Sequence, residues 1–125
     1  MLLLNYSHPL TTTQLEQAEA LLGERPDVRQ IAVHIDRGQP LAEVACQIAD
    51  AAGLSPDEWQ TTALVVNPPG LSPLALALIA EIHGRRGDFP PILNIRPVPD
   101  SVPTRYEVAE IVNLTAIRLA ARGRR

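Results

Sequence analysis

A chain of 125 residues, 46% hydrophobic but only 3% aromatic, has enough apolar mass for one domain with an aliphatic core of Leu, Ile, Val and Ala. Its net charge of −3 argues against broad binding to duplex DNA. Its single cysteine, Cys46, excludes an internal disulfide and a cysteine-rich zinc site.

All 11 cationic side chains are arginine. Codon bias in a GC-rich genome accounts for such a pattern, yet arginine is also the side chain that grips phosphate with a planar fork. The absence of lysine excludes a Walker-type phosphate loop and Schiff-base chemistry. No apolar run reaches the roughly 20 residues that span a bilayer, so no membrane association is expected. The opening MLLL is short for a signal peptide and lacks a basic start. The expected location is the cytoplasm.

Residues 1–6 read as a short buried strand that ends in Asn5, Tyr6, Ser7 and His8. Thr11 and Gln14 form a capping box, opening a helix with Leu15, Ala18 and Leu22 inward and a stop near Gly23. Residues 28–35 (VRQIAVHI) predict the second strand, with His34 structural within it. After Gly38-Gln39-Pro40, the apolar residues Leu41, Val44, Ala45, Ile48 and Ala52 recur at helical spacing. Ser55 and Glu58 bracket a second capping box, which predicts a short helical turn leading to a core Trp59.

Residues 62–67 (TALVVN) are almost continuously apolar, as a strand covered on both faces must be. Pro68-Pro69-Gly70 makes a sharp loop, and Ser72-Pro73 starts a helix with Leu74, Leu78 and Ile82 on one side. Residues 92–97 (ILNIRP) predict a fourth strand. Thr104 and Glu107 then suggest a third capping box, opening a last helix that carries Val108, Ile111, Val112 and Leu119 on one face. The alternation of strands and helices predicts an α/β fold: a small Rossmann-like domain over residues 1–121, with a mostly parallel sheet of about four strands, helices on both faces, and a basic tail at 122–125.

In such a sheet, ligands bind outside the carboxyl ends of the strands. Three tips carry polar groups there: Asn5, Ser7 and His8 after the first strand; Asn67, Gly70 and Ser72 after the third; and Asn94 and Arg96 near the end of the fourth. Arg105 and Tyr106, at the expected start of the last helix, could close over a ligand or form part of a subunit contact. Gly70 allows close backbone approach, and Ser72 stands at a helix start whose N–H groups suit an anion. Each of these residues also has an ordinary use in loops and helix starts. His8 can donate to a phosphate or protonate a leaving oxygen. The basic run around His83, Arg85 and Arg86 lies at a helix C-terminus, at the opposite edge of the sheet. There is no dinucleotide fingerprint, no nucleophile elbow and no acidic pair at strand ends, so no cofactor and no metal are expected.

Two segments, LNYSHPLTTTQLEQ and NPPGLSPLALALIAEIHGRRGDFPPILNIRPVPDSVPTRYEVAEIVN, resemble small CRISPR-associated accessory proteins of type III systems. That group is similar to the CARF sensor domain, a dimeric Rossmann-like fold that binds cyclic oligoadenylate. Some members cleave the ring and others sequester it. The resemblance implies that Asn5, Ser7, His8, Asn67, Gly70 and Ser72 face the cyclic ligand, with Arg96 as a further contact. It implies a homodimer, with higher assembly left open. The expected function is binding and sequestration of the messenger, cyclic tetra-adenylate in first place. One alternative is a metal-independent ring nuclease in which Ser7 and His8 assist catalysis. Another is a non-catalytic interaction subunit whose polar tips serve only as caps.

Overall fold

The computed structural model covers residues 1–125. Its elements are β1 (Leu2–Asn5), α1 (Thr12–Leu22), β2 (Asp27–Gln30), α2 (Leu41–Asp50), α3 (Pro56–Thr61), β3 (Leu64–Asn67), α4 (Ser72–Arg86), β4 (Ile92–Pro97), β5 (Tyr106–Val112) and α5 (Leu114–Arg122). They form one five-stranded, mostly parallel sheet in the order β2-β1-β3-β4-β5. Only β5 runs antiparallel, against β4. This is a Rossmann-like α/β architecture. No helix is long and apolar enough to cross a membrane.

Alternation along the central strands divides the core in two. Leu4, Leu64 and Val66 point to one face, where they meet Val44 and Ile48 of α2, Trp59 of α3, and Leu74, Leu78 and Ile82 of α4. Leu3 and Val65 point to the other, with Leu93 and Val108, and Leu22 of α1 packs there. Both faces of β1 and β3 are therefore covered, which explains their unbroken apolar character. Two of the expected capping boxes form. Thr11 accepts from Gln14 N, and Ser55 accepts from Glu58 N, with the reciprocal bonds in place.

The structure corrects the last third of the chain. The segment expected to open the final helix is β5, and the final helix begins only at Leu114. Val108 and Ile111 are three apart yet pack into the same core cluster. A bulge explains this. Glu110 pairs with Asn94 and Val108 with Ile95, so Ala109 has no partner across the ladder. One extra residue turns a spacing of two into a spacing of three, and the strand then imitates helical periodicity. The count of strands rises to five for the same reason.

The second strand is also shorter than its sequence suggests. β2 ends at Gln30, and residues 31–36 form no strand. β1, its sole neighbour, ends at Asn5, so the chain beyond Ile31 has nothing to pair with. His34 consequently lies exposed outside any strand.

Candidate binding cleft

The chain leaves β1 for α1 on one face of the sheet and leaves β3 for α4 on the other. β1 and β3 are parallel neighbours, and Asn5 lies in register with Asn67. Their tips thus form a topological switch point, where the diverging connections leave a crevice. The register between β3 and β4 is confined to Val66 and Ile92. β4 runs on past the end of β3 and makes a wall.

A cleft of about 590 Å³ fills this position. Its floor is Asn67 and Pro68. One side is the β1–α1 loop with Ser7, His8 and Thr11, and the other is Leu93, Asn94 and Ile95 of β4. Gln14 and Tyr106 stand at its mouth. Tyr106 is 56% exposed, and Gln14 ties it down by donating from Nε2 to the Tyr106 carbonyl at 3.2 Å. The cleft volume falls inside the range of about 300–1,000 Å³ typical of small-ligand pockets. An adjoining depression, sharing Thr11, Gln14 and Tyr106 with the cleft, contains Arg105, whose guanidinium makes no ion pair.

The buried polar residues beneath the cleft form one network. Asn5 is fully buried and uses its whole side chain. Its Nδ2 donates to the His8 carbonyl at 2.9 Å and to Gln30 Oε1 at 2.8 Å. Its Oδ1 accepts from Ser7 N at 3.0 Å and from Asn67 Nδ2 at 2.9 Å. Gln30 Nε2 donates to the Ser7 carbonyl at 2.7 Å. Asn5 therefore shapes the loop and has no atom left for a ligand. The hydroxyl of Ser7 and the imidazole of His8 make no hydrogen bond to the chain, and both residues line the cleft.

The other sequence-derived candidates lie further off. Gly70 lines a second chamber of about 390 Å³ on the opposite side of the β1 tip, shared with Ser7 and His8. Ser72 is the first residue of α4, is exposed, and gives that helix no side-chain cap. Arg96 is exposed and pairs with Glu107 at 3.4 Å. The structure thus brings Asn5, Ser7, His8 and Asn67 together and leaves Ser72 and Arg96 outside. Sequence reasoning missed Gln30 and Gln14. Gln30 would have been found by the strand-tip argument had β2 been ended there. Tyr106 is expected near a ligand from the sequence, but at a helix start; it lines the cleft from the first residue of β5 instead.

Two buried groups lie under the first face. Burial pushes the Tyr6 phenol far above its ordinary value, and the positive charge of Arg85 opposes this weakly. Arg85 lies over the Trp59 ring, 5.7 Å from its centroid, and pairs with Asp50 and Glu81 at 2.9 Å each. These contacts hold α2, α3 and α4 together, away from the cleft. No protein-family model, curated protein or solved structure matches the chain, so topology and cleft chemistry carry the functional argument.

Proposed function

We propose that the chain binds a cyclic oligoadenylate second messenger, cyclic tetra-adenylate in first place, and sequesters it within a type III CRISPR antiviral system. The observation that carries this reading is the in-register pairing of Asn5 with Asn67, which joins two polar strand tips into one cleft. The resemblance of both tip segments to type III accessory proteins supplies the ligand class. The cleft offers what a nucleotide needs. Ser7 and His8 can donate to phosphate oxygens, Tyr106 has an exposed ring for a base to stack on, and Arg105 stands without an ion-pair partner in the adjoining depression. A homodimer belongs to the reading, because a ring with rotational symmetry meets the same patch twice on a twofold pair. Titration of the purified protein with cyclic tri-, tetra- and hexa-adenylate tests it. Micromolar or tighter binding to one ring supports the proposal, and no binding to any ring rejects it.

A ring-nuclease reading is favoured by the unengaged His8 imidazole and Ser7 hydroxyl. Metal-independent cleavage requires a ribose 2′-hydroxyl aligned with its neighbouring phosphate and a donor for the departing oxygen. His8 can supply that proton, and Ser7 can help hold the phosphate. Incubation with cyclic tetra-adenylate in EDTA decides between the readings. Linear products that disappear in His8→Ala support catalysis, and an intact ring after hours at stoichiometric protein removes it.

The interaction-subunit reading rests on a different region. No residue of α5 is buried, and a groove of about 350 Å³ between α4 and α5 includes Leu76, Ile79, Phe89 and Ile117. If the tips are only caps, His8→Ala leaves every ligand property unchanged.

A further inference from the structure

The network under the cleft determines which way each carboxamide faces. The Ser7 and His8 carbonyls can only accept, and the Ser7 N–H can only donate. Gln30 lies 2.7 Å from the Ser7 carbonyl, so its nitrogen faces that oxygen, and Oε1 is left to accept from Asn5. Asn5 spends both Nδ2 hydrogens, on Gln30 Oε1 and on the His8 carbonyl. The Ser7 N–H independently requires Oδ1 on the other side of the Asn5 amide. Main-chain groups thus set the orientation of Asn5 from both sides.

Asn67 follows from Asn5. The atom of Asn67 lying 2.9 Å from Asn5 Oδ1 must be a donor, hence Nδ2. A flipped Asn67 would press two carbonyl oxygens together. Its Oδ1 is therefore the atom left over. That oxygen accepts no hydrogen bond from the chain, yet it is not sealed away from solvent. Asn67 is only 5% exposed and lines the cleft. A nearly buried carboxamide is thus held with an unused acceptor open to the cleft.

We propose that Asn67 Oδ1 reads a hydrogen-bond donor on the bound nucleotide. This deepens the cyclic oligoadenylate reading and rests on it. The acceptor repels phosphate oxygens, which have no proton to give, so the phosphates lie on the Ser7 and His8 side of the cleft. A nucleotide carries two kinds of donor that fit: the exocyclic amine of adenine and the ribose 2′-hydroxyl. Asparagine commonly pairs with the adenine amine. A fixed acceptor rejects a ligand that lacks the donor, because it then stays buried without a partner.

The test compares three rings on the unaltered full chain by calorimetric titration: cyclic tetra-adenylate, cyclic tetra-inosinate, and cyclic tetra-adenylate with 2′-O-methyl riboses. Inosine replaces the amine by a carbonyl oxygen, and methylation removes the hydroxyl proton. At least one altered ring should bind about tenfold or more weakly. In Asn67→Ala, checked for folding by Trp59 emission, the penalty attached to the recognised group should disappear, which identifies the amine or the hydroxyl. Neither altered ring losing more than about threefold overturns the inference while the messenger reading stands. Penalties that persist undiminished in folded Asn67→Ala overturn it too. Failure of the parent ring to bind defeats the messenger reading itself, and this inference with it.

Discussion

Replacing Asn5 by leucine probes the centre of the cleft. The side chains are similar in size, so Asn5→Leu removes four hydrogen bonds with little change of volume. The consequences for the partners differ. Gln30 and His8 are exposed residues and can turn to water. Ser7 N and Asn67 Nδ2 lie against the position of the lost oxygen, and Asn67 is almost fully buried. Leaving a buried donor without an acceptor costs about 1–3 kcal/mol. Two such donors, less some gain from the apolar side chain, give an expected loss of about 2–5 kcal/mol, a large share of the roughly 5–15 kcal/mol typical of a domain. Urea unfolding followed by Trp59 emission measures it, since this sole tryptophan is 2% exposed and will report loss of the core. A loss below about 1 kcal/mol, with an unchanged urea slope, would refute the claim that the loop is held by this network.

Tyr6→Phe tests the core beneath the first face. The Tyr6 hydroxyl is buried and makes no hydrogen bond to the chain, so its removal should leave stability equal or higher at neutral pH. The folded phenol titrates above the unfolded one, so the unfolded chain loses its proton first. Stability from this group is complete below about pH 10 and falls as pH rises beyond it. Alkaline unfolding, followed by circular dichroism, should therefore move to higher pH in Tyr6→Phe. Arg86→Met should cost about 2–3 kcal/mol in urea, because the part-buried guanidinium donates to the Trp59 and Thr62 carbonyls at 2.8 and 2.9 Å and pairs with Asp88 at 3.1 Å; Arg86→Lys should recover little, lacking the fork. Gly87→Ala should lower stability by only about 1 kcal/mol in the same assay. A Cβ there meets nothing within 4 Å, and the cost lies in the left-handed φ of 88° that ends α4.

Some features of this protein are written in short stretches of chain. Leu74, Leu78 and Ile82 recur every four residues, and all three are buried on one side of α4. The boxes at Thr11 and Ser55 are closed by residues three positions away. Such features need only neighbours along the chain, and periodicity therefore reveals them. The alternation of elements then restricts the topology to a mostly parallel sheet with connections on both faces.

Tertiary structure decided the rest. β5 takes its form from pairing with β4 and from the bulge at Ala109, and neither leaves a local signature distinct from a helix. The second strand stops at Gln30 because its partner stops, a fact about β1 and not about residues 31–36. The cleft exists because Asn5 and Asn67, 62 positions apart, meet in register. Only that meeting turns two ordinary asparagines into a buried pair with one acceptor left over. A hydrogen bond between distant residues depends on the register of whole strands, which the burial of Leu3, Leu4, Val65 and Val66 sets collectively and no short motif encodes.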